Sequence, residues 1–164
     1  LTNFVWIINI NGNKTISKDE IIKASNKIGI YEGVKPFTTN PLFYHDWTDE
    51  ASQIILQMDQ EFFHLLQVLH ISTKHLNTLL QHYEVPDAST LTIKLKNIPS
   101  FAGIHSPMKQ TAEGWIPDFG SRYFTEDFPF GLRFIHDLAH EYNVLCPTID
   151  KVYQWGLKMI SKQL

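Results

Sequence analysis

The chain has 164 residues, 43% hydrophobic and 19% charged, which is enough for one domain with its own core and too apolar for a disordered segment. A net charge of −3 argues against a nucleic-acid partner, which would need a basic stripe to release phosphate counterions. The single cysteine, Cys146, excludes an internal disulfide framework and a cysteine-based zinc site, and makes a reducing, cytoplasmic setting the expectation.

No apolar run reaches the roughly 18–20 residues that span a bilayer, so no membrane partner is expected. Residues 1–10 are apolar but lack a basic flank and a small-residue cleavage site, so a signal peptide is not expected either. The start at Leu1 rather than a methionine fits a fragment or a processed piece. Residues 4–10 suit a short strand or a buried helical turn, and periodicity cannot decide at that length. Ser17 and Glu20 have the spacing of a capping box, with Ile21, Ile22 and Ile28 behind them and Gly29 as a stop. Gly33, Pro36, Asn40 and Pro41 then mark a loop.

The strongest helical signal runs from about residue 49 to 70. Ala51, Ile54, Ile55, Met58, Phe62, Leu65, Leu66 and Leu69 recur at helical spacing behind Thr48 as cap, with two acids in the first turn. A second helix is expected with Ser72 or Thr73 as cap, Leu76, Leu79, Leu80 and Tyr83 inward, and Pro86 closing it. Leu91, Ile93 and Leu95 alternate, which leaves helix and strand both open. Residues 98–120 hold Pro99, Gly103, Pro107, Gly114, Pro117 and Gly120, too many breakers for a long element, and read as a functional loop. A helix is expected to start at Asp127, with Pro129 in its first turn where a missing N–H costs nothing, and to run to about Asn143. A last helix follows Pro147, capped by Thr148 and packed through Ile149, Val152, Tyr153, Leu157 and Ile160. The expected fold is all-α with one substantial loop.

Several stretches carry a resemblance. They are Pro107-Met108-Lys109, Pro117-Asp118-Phe119, the run Arg122-Tyr123-Phe124-Thr125-Glu126-Asp127-Phe128-Pro129-Phe130-Gly131-Leu132, and Pro147-Thr148-Ile149-Asp150-Lys151-Val152. Together with Pro41-Leu42-Phe43-Tyr44, they resemble the helical domain of opine dehydrogenases of the octopine and tauropine type over roughly residues 41–160. The resemblance implies a C-terminal helical domain of the opine dehydrogenase or 6-phosphogluconate dehydrogenase C-terminal-like kind, at residues 41–164, with residues 1–40 poorly matched. It implies an enzyme that reductively joins an α-keto acid such as pyruvate to the amino group of an amino acid. The cofactor would be NAD or NADP, bound mainly by a Rossmann domain upstream.

In that family an arginine grips a substrate carboxylate and an aspartate pairs with a catalytic histidine, which carried over are Arg122 and Asp127. The residue types suit the roles: a guanidinium fork matches a carboxylate, and an acid beside imidazole fixes its tautomer. Two family parts are missing. No Gly-x-Gly-x-x-Gly loop occurs, so cofactor-binding residues stay unassigned. No Asn-Pro-x-x-His-Pro motif occurs either; Asn40-Pro41-Leu42-Phe43-Tyr44-His45 has one residue too many and no following proline. The competing reading is therefore an incomplete helical binding module derived from the family.

Plainer roles stand beside each candidate. Asp127 can be a helix N-cap, and Arg122 a surface ion pair with Glu126 or Asp127. His136 and His140, four apart, have metal-ligand spacing, but with no third ligand in view they read as a helix face and no metal is expected. His64, His70, His75 and His82 read as surface or packing residues. Trp115 and Trp155 suit core packing better than a pocket wall, and nothing basic near Cys146 in sequence supports a reactive thiol.

Overall fold

The computed structural model of the protein describes residues 36–161. The expected capped helix at residues 17–29 and the apolar segment at 4–10 lie outside these residues. Among them, no helix is long and apolar enough to cross a membrane.

Helix α1 (Asp49–Val68) forms where the periodicity predicts it. The Thr48 hydroxyl accepts from the Ala51 N–H, and Asp49 and Glu50 complement the positive end of the helix dipole. Its buried face carries Ala51, Ile55, Met58 and Leu65. Helix α2 (Leu79–Tyr83) is shorter and starts later than expected. Thr78, not Ser72 or Thr73, closes a capping box with Gln81. The buried Asp59 carboxylate of α1 takes the Leu79 N–H at 3.0 Å, and burial raises its pKa above the ordinary value. Helix α3 (Ala88–Lys96) resolves the ambiguous alternation. Leu91 and Leu95, four apart, are buried while Ile93 points to solvent, which only a helical winding permits.

A buried polar chain ties these pieces together. The Trp47 indole N–H donates to Ser52 Oγ at 2.9 Å, and Ser52 Oγ lies 2.8 Å from Thr92 Oγ1. Thr92 spends its one hydroxyl proton on Ala88 O, so Ser52 donates to Thr92.

The fold is all-α as expected among the described residues, and the breaker-rich loop adds a small two-stranded sheet to it. After a 3₁₀ turn (Pro99–Phe101), strands β1 (Met108–Thr111) and β2 (Gly114–Pro117) pair antiparallel, Met108 opposite Pro117 and Thr111 opposite Gly114. Phe37 exchanges two backbone hydrogen bonds of 2.8 Å with Trp115. A Cβ at Gly114, which has φ +134°, would run into the Phe37 carbonyl, so glycine permits this approach.

The chain then enters one long helical segment: a π-helix (Tyr123–Leu132) running directly into α4 (Arg133–Glu141). The expected start at Asp127 is overturned, since Asp127 lies inside the helix rather than at its cap. Ser121 O accepts from the N–H groups of Phe124 (2.9 Å) and Thr125 (3.0 Å), and the winding then widens; at the far end Arg133 N–H donates to Phe128 O, five residues back. Pro129 explains the widening. It has no N–H for an i→i−4 bond, and its ring would clash with that carbonyl in a tight α-helix.

Helix α5 (Pro147–Ser161) packs across this segment and across α1. Phe128 stacks on Phe124 at 5.3 Å, and Phe119 and Trp155 meet Phe124 edge-on. Gly156 lies under the Phe128 ring, where a Cβ would collide with it. The cap of α5 is also not the expected one. Thr148 sits inside the first turn, and its N–H, with that of Ile149, donates to the carboxylate of Glu61 on α1 at 2.9–3.0 Å. An acid 87 residues away thus does the work assigned to the local threonine.

Candidate functional site

The π-winding decides what the Arg122–Asp127 stretch can do. In an α-helix, residues five apart point well away from each other. In a helix closed by i→i+5 bonds they lie one turn apart on the same side. Arg122, the residue before the π-helix, and Asp127 stand in that register. The guanidinium of Arg122 forks onto Glu126, Nε to Oε1 at 2.9 Å and Nη2 to Oε2 at 2.8 Å. Glu126 first, and the charge of Asp127 as well, raise the Arg122 pKa further, while Arg122 holds the Glu126 carboxyl below its ordinary range. The site is a solvent-facing cation flanked by two acids, with its fork already shaped to a carboxylate.

The exposed row continues along the helix. Phe130 is 75% and Phe134 66% exposed, at four-residue steps beyond Glu126. Two large rings in water beside an ion pair make an exposed aromatic patch. On the opposite side Phe124, Phe128 and Leu132 are buried, so the segment is fixed to the core by one face and presents its chemistry on the other.

Other expected candidates lie elsewhere. His45 is in the turn before α1, 72% exposed, with Nδ1 3.1 Å from Asp46 Oδ1. That turn abuts the start of the π-helix, because Phe43 stacks on Tyr123 at 6.2 Å. Trp155 is a core residue and Trp115 is a half-buried strand residue, in keeping with packing roles. Cys146 is buried, its Sγ 3.8 Å from Glu61 O; burial, aided by Glu61 and Asp150, pushes its pKa up to about 11, so it is no nucleophile at neutral pH. His64, His70, His75 and His82 are exposed.

His136 and His140 do have a third neighbour. Asp150, from the first turn of α5, places Oδ1 3.2 Å from His140 Nε2 and 3.7 Å from His136 Nε2. The five residues 142–146 joining α4 to α5 are few enough to set the two helices side by side, but their spacing does not say which side chains meet. The end of one then meets the beginning of the next.

The family model described as "NAD/NADP octopine/nopaline dehydrogenase, alpha-helical domain" matches residues 22–160. Tauropine dehydrogenase of Arabella iricolor is 28% identical over 143 residues, covering 79% of this chain and 36% of that protein. Octopine dehydrogenase solved with NADH and pyruvate superimposes with a TM-score of 0.71 at 21% identity, covering 97% of this chain and 37% of that one. Its complex with NADH and L-arginine gives a TM-score of 0.72 at 25% identity, covering 82% of this chain and 36% of that one. The chain thus spans about a third of the length of the curated relatives it matches.

Proposed function

Because the chain belongs to the octopine/nopaline dehydrogenase family as its α-helical domain, we propose that it is the substrate-binding domain of an NAD(P)-dependent opine dehydrogenase. The enzyme reductively condenses an α-keto acid such as pyruvate with the amino group of an amino acid, and it works in the cytoplasm. The relatives solved with pyruvate and with arginine support this substrate pair. The 164 residues hold no Gly-x-Gly-x-x-Gly loop and so do not themselves fit a dinucleotide. The reductant is held by a Rossmann domain in the whole enzyme, which covers the Phe130–Phe134 face.

The observation that carries the reading is the π-register of Arg122 and Asp127. Arg122 binds a substrate carboxylate by exchanging Glu126 for it. The pair it gives up is exposed and therefore weak, so the exchange costs little. Asp127, one π-turn on, holds a histidine supplied from outside these 164 residues, whose own eight histidines all lie within 36–161, in the tautomer that passes a proton to and from the reacting carbonyl or imine.

The test is the full-length enzyme assayed for nicotinamide oxidation. Oxidation should require both an α-keto acid and an amino acid, and Arg122→Ala should raise KM for the carboxylate substrate far more than it lowers kcat. No turnover, with an amino acid or keto acid still raising the melting temperature through Arg122, would support the binding-module reading instead.

A further inference from the structure

The cluster where α4 meets α5 has no part in the reading above, and it brings three metal-ligand side chains together. His136 and His140 stand one α-turn apart on α4, their rings 4.3 Å apart, and Asp150 reaches up from α5. One donor atom from each lies within 4.8 Å of the other two. Ligands about 2.1 Å from a tetrahedral zinc ion sit about 3.4 Å from one another. The Asp150 Oδ1 distances of 3.2 and 3.7 Å to the two imidazoles need only small side-chain rotations to meet that requirement.

The surroundings prepare His136 for the role. Its ring is only 12% exposed and packs on Tyr153 at 4.4 Å, which fixes its plane. Its Nδ1 lies 2.9 Å from Asp137 Oδ1, and Asp137 is held in turn by Arg133 Nε at 3.2 Å. A carboxylate on Nδ1 keeps the proton there and turns the lone pair of Nε2 toward Asp150, the carboxylate–histidine–metal arrangement. His140 and Asp150 are more exposed, so a bound ion would keep a position open to water.

We propose that His136 Nε2, His140 Nε2 and Asp150 Oδ1 bind one first-row transition-metal ion of the Zn²⁺ or Ni²⁺ kind, with Asp137 as the outer partner of His136. Two imidazoles and one carboxylate suit such an ion and not the all-oxygen preference of Mg²⁺ or Ca²⁺. The ion would clasp α4 to α5 and so brace the helical segment that carries Arg122 and Asp127.

The experiment is titration of the metal-stripped full chain with ZnCl₂, NiCl₂ and MgCl₂, followed by calorimetry and by thermal melting. One equivalent of Zn²⁺ or Ni²⁺ should bind and raise the melting temperature, while Mg²⁺ does neither. His140→Ala, at an exposed position the fold tolerates, should abolish the shift. Asp137→Asn should weaken binding by about 10–100-fold, as loss of an outer partner does. His64→Ala and His82→Ala should bind as the parent does. No saturable binding, or binding that survives His140→Ala, overturns the proposal. Stoichiometry that falls with His64→Ala or His82→Ala also overturns it, since the ion would then sit on scattered surface imidazoles.

Discussion

Two clusters of ionisable side chains lie along the stretch from Arg122 to Glu141, and they are built by different means. The first, Arg122 with Glu126 and Asp127, comes wholly from one short stretch, and its geometry is set by winding. The second, His136 and His140 with Asp150, keeps ordinary α-winding and is completed only by packing, because its third member arrives from α5. A local cluster is fixed by the turn of its own backbone. An assembled one depends on whatever anchors the partner helix.

The largest effect should come from breaking the local cluster chemically. Asp127→Asn keeps the side-chain shape but cannot stabilise an imidazolium, and should lower kcat of the full-length enzyme by about 100–10,000-fold with little change in KM. Steady-state kinetics decides the matter.

Breaking the anchor of the assembled cluster comes next. Glu61→Ala strips the buried N-terminal amides of α5 of their acceptor and should cost about 2–3 kcal/mol in urea unfolding. It should also loosen Asp150 from His140, while leaving the Arg122–Glu126 pair, which is internal to one helix. Imidazole resonances in NMR spectra report on the first contact and the Arg122 Nε–H resonance on the second.

Gly156→Ala attacks the winding instead. Its new methyl strikes the Phe128 ring, so a destabilisation of about 1–3 kcal/mol is expected, with loss of activity beyond what stability explains because the π-helix shifts. Activity measured well below the melting temperature separates the two.

The smallest effect belongs to Asp59, remote from both clusters in the chain. Its pKa is raised by burial, so the protonated form is favoured by folding. That contribution is fully present below the ordinary value of 3.8 and is lost as pH rises through the folded value. Asp59→Asn keeps the acceptor for Leu79 N–H without the charge. Its melting temperature should gain on that of the parent as pH rises from about 4 to 7, by an amount worth less than about 1 kcal/mol.

Much of this was legible in the sequence, and the limits have physical reasons. Helix α1 was read correctly because its apolar period is long and its cap is local. Arg122 and Asp127 stand out as candidates within one contiguous stretch, but the helix start expected at Asp127 is misplaced. A proline after an acid looks like a helix start, and only the Phe128 ring over Gly156 and the winding through Pro129 show that the helix had begun a turn earlier. Local chemistry allows Thr148 as a cap, while Glu61, which does the capping, is 87 residues away. Asp150 was missed as a neighbour of His140 for the same reason. Contacts across helices are not written in spacing.

The measurement that tests the account most directly is a double-mutant cycle of Arg122→Ala and Asp127→Asn on kcat/KM of the full-length enzyme. If the π-turn makes them one site, the double variant should lose less than the product of the single losses, by about 10-fold or more. Losses that simply multiply would mean that the two residues act independently, and that their shared face is a feature of the helix and not of the reaction.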